Sequence, residues 1–182
     1  AGMLISEAEQ TDPTKKFRIV YLSIQSNHLH LIVEAYDQYA LARGMQSFLR
    51  SCAKRINTAL GRRGEPVFYD RYHATVLRSP RQVRNTLAYV VNNWRKHGED
   101  RGKTWKIDPY ATGLHVPWKE REHAPFAMHA PDAYRPLYVW LPTTWLLRVG
   151  WQKHGAIGMY EVPSRPRVEP SVSSASRRTS RR

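Results

Sequence analysis

The sequence predicts an α+β fold in which an antiparallel sheet carries two main helices on one face. Two runs rich in β-branched and aromatic residues, 17–25 and 28–34, are separated by a short polar turn and therefore predict a β-hairpin. Two longer segments further along the chain have apolar residues at helical spacing, with polar residues between them. Amphipathic helices of this kind bury their apolar stripes against a sheet, which gives a layered domain.

The strands are predicted from composition and from the turn residues between them. Ser26 and Asn27, which favour turns, would join the two strands of the hairpin. Residues 67–77 are also rich in β-branched and aromatic side chains and predict another strand. Residues 1–16 are polar and irregular, although 5–10 fit the end of a short helix.

The two helices have clear start and stop signals. The first is predicted by apolar positions that recur from Leu41 to Leu60, with basic side chains between them and a stop at Gly61. The second is predicted to begin at Ser79 and Pro80, a capping residue followed by a first-turn proline, and to run to about residue 97. The first helix would therefore have one apolar and one basic face.

Composition and charge favour a nucleic-acid partner. The chain has 182 residues, which fits one domain, and a formal net charge of +14 with a pI near 10.3, which attracts polyanions. An anionic membrane surface is the alternative, but we find no lipid anchor or basic membrane-binding helix. No segment approaches the roughly 20 apolar residues that cross a bilayer. Cys52 is the single cysteine, which suits a reducing cytoplasm, so we expect a cytoplasmic, nucleoid-associated protein.

Two histidines in the second predicted strand could share a metal ion. Strand alternation sends His28 and His30 to the same face, roughly 6.5 to 7 Å apart, while Leu29, Leu31 and Val33 would face the core. Two neutral imidazoles at this spacing can converge on one cation. The alternative is that they form cross-strand polar contacts, which is the commoner use of such a pair. A third ligand and a reactive group are needed to decide.

The second helix offers candidates for both. At 100° per residue, Tyr89 points roughly 145° away from the apolar stripe, and Asn93 stands one turn later on the same face as Tyr89. The stripe consists of Val83, Leu87, Val90, Val91 and Trp94. A phenol and a carboxamide would thus be presented together. In the alternative interpretation Tyr89 is an exposed aromatic residue, and Asn92 and Asn93 merely solvate the helix.

The run 26–34, Ser-Asn-His-Leu-His-Leu-Ile-Val-Glu, resembles the His-hydrophobic-His motif of HUH endonucleases. In particular, the chain resembles the one-tyrosine transposases and the REP-associated tyrosine transposases. The order of features agrees: the motif, a basic helix, a turn at Gly64 with the Arg-Tyr segment 70–73, and a helix that carries the tyrosine. The similarity covers roughly residues 17–97.

This resemblance implies a ferredoxin-like or RRM-like nuclease fold and a mechanism. Tyr89 would cut single-stranded DNA as the nucleophile, keep the 5′ phosphate as a phosphotyrosine and leave a free 3′ hydroxyl for rejoining. His28 and His30 would bind Mg²⁺ or Mn²⁺, and Asn93 would complete the metal site. The partner would be single-stranded or hairpin DNA, recognised by a bacterial enzyme that is a monomer or homodimer.

The chain departs from the family pattern in two places. Relatives usually begin with a further strand and a full helix before the equivalent of Phe17, so the first strand would be missing here, or residues 1–16 or the later arm would replace it. Relatives often have Asn-Pro after the tyrosine, where this chain has Asn93 and Trp94. The short N-terminus favours an alternative function, that of an inactive or domesticated nucleic-acid-binding protein of the same fold, whereas the intact set of His28, His30 and Tyr89 favours the enzyme.

We expect three regions along the chain. Residues 1–98 would form the nuclease domain, 99–162 an irregular arm with a short helix at 143–154, and 163–182 a disordered basic tail. The side chains expected to contact DNA phosphates are Arg50, Lys54, Arg62, Arg63, Arg71, Arg78, Arg81 and Arg84. Trp105 and Trp118 in the arm are left open between a structural role and base stacking, and His73 between a metal-site neighbour and a structural or DNA-facing residue.

Overall fold

The observed elements follow the order that an α+β fold requires, and the predicted fold class is confirmed. A computed structural model of the protein describes residues 16–120 and 137–163. Within these residues no helix is long and apolar enough to cross a membrane. The elements are β1 (Phe17–Ile24), β2 (Leu29–Ala35), α1 (Gln38–Ala59), α2 (Pro80–Lys96), a 3₁₀ turn (Thr112–His115), α3 (Trp145–Arg148) and a second 3₁₀ turn (Gly150–His154).

The predicted hairpin is present. Strands β1 and β2 are antiparallel, and the pairing runs from Phe17 opposite Ala35 to Ile24 opposite Leu29. The backbone nitrogen of Gln25 donates to the carbonyl of His28 at 2.9 Å, which closes the turn around the two predicted turn residues. His28 therefore lies just before β2, at the end of the hairpin.

The buried face of β2 is the opposite of the predicted one. Ile32 and Glu34, which alternate with His30, are only 3% and 8% exposed, whereas the predicted core residues Leu29, Leu31 and Val33 are half-buried. The reason is that α2 packs on the face that carries His30, so this face is covered although it includes polar groups. The prediction failed because it assumed that the histidines must face solvent.

Glu34 connects this face to the C-terminal part of the chain. Its carboxylate accepts hydrogen bonds from the backbone nitrogen of Thr143 at 2.9 and 3.0 Å and from that of Thr144 at 2.7 Å. Burial disfavours its charged form, but the hydrogen bonds from Thr143 and Thr144 outweigh burial and lower the pKa of Glu34. A buried carboxylate thus fixes the segment before α3 to β2.

Helix α1 is confirmed within a few residues of its predicted ends. It begins at the N-cap Asp37, whose side chain accepts from the backbone nitrogen of Ala40 at 2.7 Å. Gly44 lies where α1 crosses β1, and a Cβ atom there would collide with the ring of Phe17. The helix is mostly exposed, and Met45 is its one buried apolar residue. Its basic face therefore remains available at the surface.

Helix α2 is confirmed at both ends and along its apolar stripe. The Ser79 hydroxyl caps it by accepting from the backbone nitrogen of Gln82 at 3.3 Å, with Pro80 in the first turn. The five stripe residues are each at most 2% exposed. The chain leaves the helix at Gly98 with φ of 71°, a left-handed conformation that favours glycine. Burial of the stripe against the hairpin holds α2 in place.

The strand predicted at 67–77 is absent, which is a correction. In the described part of the chain the sheet has two strands only, and none pairs with this segment. Its side chains are mostly exposed, with Tyr69 at 85% and Val76 at 66%. A strand needs a partner for its backbone groups as well as suitable side chains, and propensity alone does not supply one. The prediction that the first strand is missing, or is replaced by residues 1–16, falls largely on residues outside the described ranges.

The segment after residue 98 contributes to the same core as the hairpin and α2. Trp118 and Trp151 are 2% and 1% exposed, and Ile157 is fully buried. The indole nitrogen of Trp118 donates to the carbonyl of Gly113 at 2.8 Å, so Trp118 is structural. The predicted helix at 143–154 is realised as α3 and a 3₁₀ turn. The domain boundary at 98 stays a prediction, and the predicted tail beyond residue 163 lies outside the described residues.

A strap formed by residues 156–161 runs along α2 and fixes its position. Arg84 forms an ion pair with Glu161, the amide of Asn92 donates to the carbonyl of Gly158 at 3.0 Å, and Arg95 donates to that of Met159 at 2.6 Å. These three α2 residues share one side of the helix. The strap therefore holds the helix from the side that the hairpin leaves uncovered.

A buried carboxyl group near the hairpin turn makes the stability of the fold depend on pH. Asp108 is 4% exposed and accepts from the backbone nitrogen of Tyr110 at 2.9 Å. Burial, reinforced by the charge of Glu99, raises its pKa from 3.8 to about 6, although hydrogen bonds from Tyr110 and Gln25 oppose the rise. The native state then binds this proton more tightly than the unfolded chain does, so stability falls as pH rises from about 4 to about 6.

We therefore expect Asp108→Asn to stabilise the protein at neutral pH. The change removes a buried charge whose cost is at most about 3 kcal/mol, while the amide oxygen can still accept from Tyr110. The measurement is urea unfolding of both proteins at pH 7.5 and pH 4. The variant should be more stable at pH 7.5, and the difference should shrink at pH 4. An equal difference at both pH values would show that Asp108 is not a buried anion.

Candidate active site

The two histidines converge at the end of the hairpin. The Nε2 atoms of His28 and His30 lie 3.0 Å apart, and their ring centroids are 4.6 Å apart at an angle of 83°. The Nδ1 atom of His28 lies 2.7 Å from Oδ1 of Asn27, which orients the ring. The nitrogens are closer than strand spacing alone predicts, because the two rings meet edge to face and their Nε2 atoms lie within hydrogen-bonding distance of each other.

The electrostatics keep His30 neutral. Burial, together with the nearby positive charge of His28, His97 and Lys96, lowers its pKa from 6.5 to about 4. At neutral pH the ring of His30 is therefore uncharged, and one of its nitrogens carries a lone pair. A neutral imidazole is the form that binds metal ions.

Tyr89 lies against this pair within the same chain. Its ring centroid is 4.9 Å from that of His30, at an angle of 74°, and the side chain is half-buried. The helical-wheel prediction that Tyr89 lies off the apolar stripe agrees with this placement. The packing of α2 on β2 thus brings the phenol to the histidines, which the sequence indicated only through a resemblance.

Asn93 is fully buried one turn after Tyr89. It is 0% exposed, and neither its Oδ1 nor its Nδ2 atom has a hydrogen-bond partner among the described residues. Asn92 is also buried, but its amide donates to Gly158. The alternative that both residues merely solvate the helix is therefore wrong. A buried amide without partners costs about 1 to 3 kcal/mol, so Asn93 is suited to a ligand that would satisfy it.

The candidate ligand atoms fit a divalent cation, although the set of ligands is small. In the described ranges no cluster of three or more His, Cys, Asp or Glu residues could hold a metal ion. Two imidazole nitrogens and one carboxamide oxygen remain as candidates. Ligand atoms about 2.1 Å from one cation and at right angles to each other are about 3.0 Å apart. The separation between His28 and His30 matches this value.

Two residues near this site were missed by sequence reasoning. The ring centroid of His97 lies 6.4 Å from that of His28, and the ammonium nitrogen of Lys96 lies 5.1 Å from the ring centroid of Tyr89. A signal was present, since Lys96 follows Tyr89 by seven residues, or two helical turns, and so shares its face. Near a helix end, such residues are usually solvated side chains, so their position in the sequence did not single them out.

The side chains predicted to contact DNA are placed in three different ways. Arg50, Lys54 and Arg62 line one shallow groove beside the end of α1, and Arg62 also makes an exposed ion pair with Glu65 at 3.6 Å. Arg84 is engaged elsewhere, in its ion pair with Glu161. His73 is exposed. The remaining side chains predicted to contact phosphates are also exposed, namely Arg63, Arg71, Arg78 and Arg81.

These features define a class of protein, an α+β domain in which a His-x-His pair contacts a tyrosine, with a buried asparagine one helical turn after that tyrosine. The family model described as "Transposase IS200 like" matches residues 4–93, about half of the chain, and the protein belongs to this family. It is a transposase whose partner is DNA. The matched region ends at Asn93 and so excludes Lys96, His97 and the strap. Comparisons with curated proteins and with solved structures gave no match.

Proposed function

We propose that this transposase nicks and rejoins single-stranded DNA through a 5′-phosphotyrosine intermediate on Tyr89, with hairpin repeats as its substrate. The observation that carries the proposal is the contact between Tyr89 and His30 beside the converging nitrogens of the histidine pair. A phenol placed next to a cation site can attack a phosphate that the same cation polarises. Because both residues come from one chain, a monomer would hold a complete site.

The reaction balances without an external energy source. The phenol oxygen of Tyr89 attacks phosphorus, the bond from phosphorus to the 3′ oxygen breaks, and the proton that the phenol loses balances the one that the 3′ hydroxyl gains. The phosphotyrosine keeps the free energy of the phosphodiester bond, so a 3′ hydroxyl can reverse the step and join a new strand.

His28, His30 and Asn93 would hold Mg²⁺ or Mn²⁺ in this mechanism. The cation would stabilise the charge that develops on the phosphoryl oxygens during attack. The chain itself supplies the orientation: β2 fixes one imidazole, the hairpin turn fixes the other, and α2 presents the phenol and the amide one turn apart. The strap keeps α2 on the hairpin while DNA enters.

DNA binding would rest on phosphate neutralisation by the exposed basic side chains. The groove at the end of α1 and the loop after it present Arg50, Lys54, Arg62, Arg63 and Arg71. Arg78 and Arg81 extend the positive surface to the start of α2. The role proposed for Arg84 is instead structural, because its guanidinium is committed to Glu161. Binding of this kind weakens steeply as salt concentration rises.

The test is adduct formation by the wild-type protein. Purified protein is incubated with labelled single-stranded hairpin oligonucleotides and Mg²⁺ or Mn²⁺, and then separated under denaturing conditions. We expect an adduct that carries the label on the 5′-phosphate side of the cut and that EDTA prevents. Salt-sensitive binding without any adduct, over a broad set of hairpins, would favour the alternative of a binding protein that no longer cuts.

A further inference from the structure

Among the lysines of the described residues, Lys96 has a distinctive position. Three lysines lie at similar distances from an aromatic ring centroid: Lys96 at 5.1 Å from Tyr89, Lys103 at 5.3 Å from Trp105 and Lys153 at 5.0 Å from Trp145. Of these three rings, only that of Tyr89 also contacts a histidine of the candidate site. Lys96 therefore brings a positive charge to the nucleophile itself.

The surroundings of Lys96 leave this charge available. The side chain is exposed, and in the described part of the chain it forms no ion pair with a carboxylate. The neighbouring Arg95 has a different role, because it binds Asp100 at 2.7 Å and donates to the carbonyls of Met159 and Lys106. A cation in the last turn also interacts favourably with the helix dipole, but Arg95 already provides one there.

We propose that the ammonium group of Lys96 is a catalytic residue that binds the scissile phosphate as Tyr89 attacks it. This inference rests on the proposed function. A phosphate positioned for attack must lie about 3 to 3.5 Å from the phenol oxygen. A lysine with its ammonium beside the phenol ring, on a flexible four-carbon stem, can reach a non-bridging oxygen of that phosphate.

The chemical gain is greatest in the transition state. Negative charge builds on the phosphoryl oxygens while the phenol oxygen and the leaving 3′ oxygen are both partly bonded to phosphorus. An ammonium group that donates a charge-assisted hydrogen bond there stabilises this charge more than it stabilises bound substrate. Lys96 would act from the α2 side of the phosphate, complementary to the histidine pair on the hairpin. No bond to Lys96 forms or breaks.

The test compares Lys96→Gln and Lys96→Arg with Lys103→Gln, a matched loss of a lysine beside an aromatic ring away from the site. Adduct formation is measured in single turnover with saturating hairpin oligonucleotide, and affinity is measured separately. We expect Lys96→Gln to slow adduct formation about 100-fold while changing affinity less than about fivefold. Lys96→Arg should recover part of the rate, and Lys103→Gln should behave as wild type.

Three outcomes would overturn the inference. If wild type forms the adduct and Lys96→Gln forms it at the same rate, the proposed function stands and the role of Lys96 is wrong. If Lys96→Gln loses rate only in proportion to thermal stability or affinity, its effect is structural and the role is equally wrong. A wild type that forms no adduct overturns the proposed function and the role of Lys96 together.

Discussion

Replacing Tyr89 by phenylalanine is expected to abolish DNA cleavage and leave the fold and hairpin binding almost unchanged. The substitution removes one oxygen atom, the only one on this side chain that could attack phosphorus. In the described part of the chain that oxygen has no hydrogen-bond partner, and the ring keeps its contact with His30. Affinity should persist because phosphate contacts dominate a charge-driven interface.

The measurement is the denaturant-resistant adduct, with thermal unfolding and oligonucleotide binding followed in parallel. Tyr110→Phe is the matched control, since Tyr110 is 57% exposed and lies outside the histidine pair and α2. We expect no adduct from Tyr89→Phe and a wild-type amount from Tyr110→Phe. Cleavage by Tyr89→Phe at the wild-type rate would mean that a metal-activated water or another residue is the nucleophile, and the phosphotyrosine mechanism would be wrong.

Replacing both His28 and His30 by alanine is expected to abolish Mn²⁺ binding and, with it, adduct formation. One buried amide cannot hold the cation when two of three ligands are gone. The structure indicates a cost of roughly 1 kcal/mol, because His30 is half-buried against Tyr89 and its truncation leaves a small cavity.

Calorimetric titration of Mn²⁺ into both proteins is the direct measurement, with thermal unfolding to confirm that the variant is folded. His154→Ala is the control for the loss of an exposed imidazole. Wild type and His154→Ala should bind one equivalent of Mn²⁺, and the double variant none. An unchanged titration in the folded double variant would place the metal ligands elsewhere in the chain.

Much of the candidate site could be predicted from sequence because its parts are local. Helical spacing placed Tyr89 and Asn93 on one face of α2, and a capping serine and a glycine marked the ends of that helix. Strand alternation put His28 and His30 on one side of the hairpin. These inferences depend on backbone geometry within about 20 residues, which periodicity reports directly.

Sequence reasoning failed where the environment of a residue is set by distant segments. The strand expected at 67–77 did not form, since β-propensity does not provide a pairing partner. The buried face of β2 was assigned wrongly, because polarity suggested solvent while α2 in fact covers His30 and Ile32. Trp118 could not be assigned either, since its segment has no period and packs by individual contacts.

By itself, the sequence determined the α+β class, the hairpin, both long helices and the family resemblance, all of which follow from short-range patterns. Only the tertiary structure decided that Arg84 pairs with Glu161, 77 positions away, and that the face of α2 shared by Tyr89 and Lys96 meets His30. The ion pair between Arg84 and Glu161 depends on how the C-terminal segment folds back along α2. The placement of Tyr89 and Lys96 depends on which face of α2 the hairpin and the strap leave open, and this is decided by packing of the whole core.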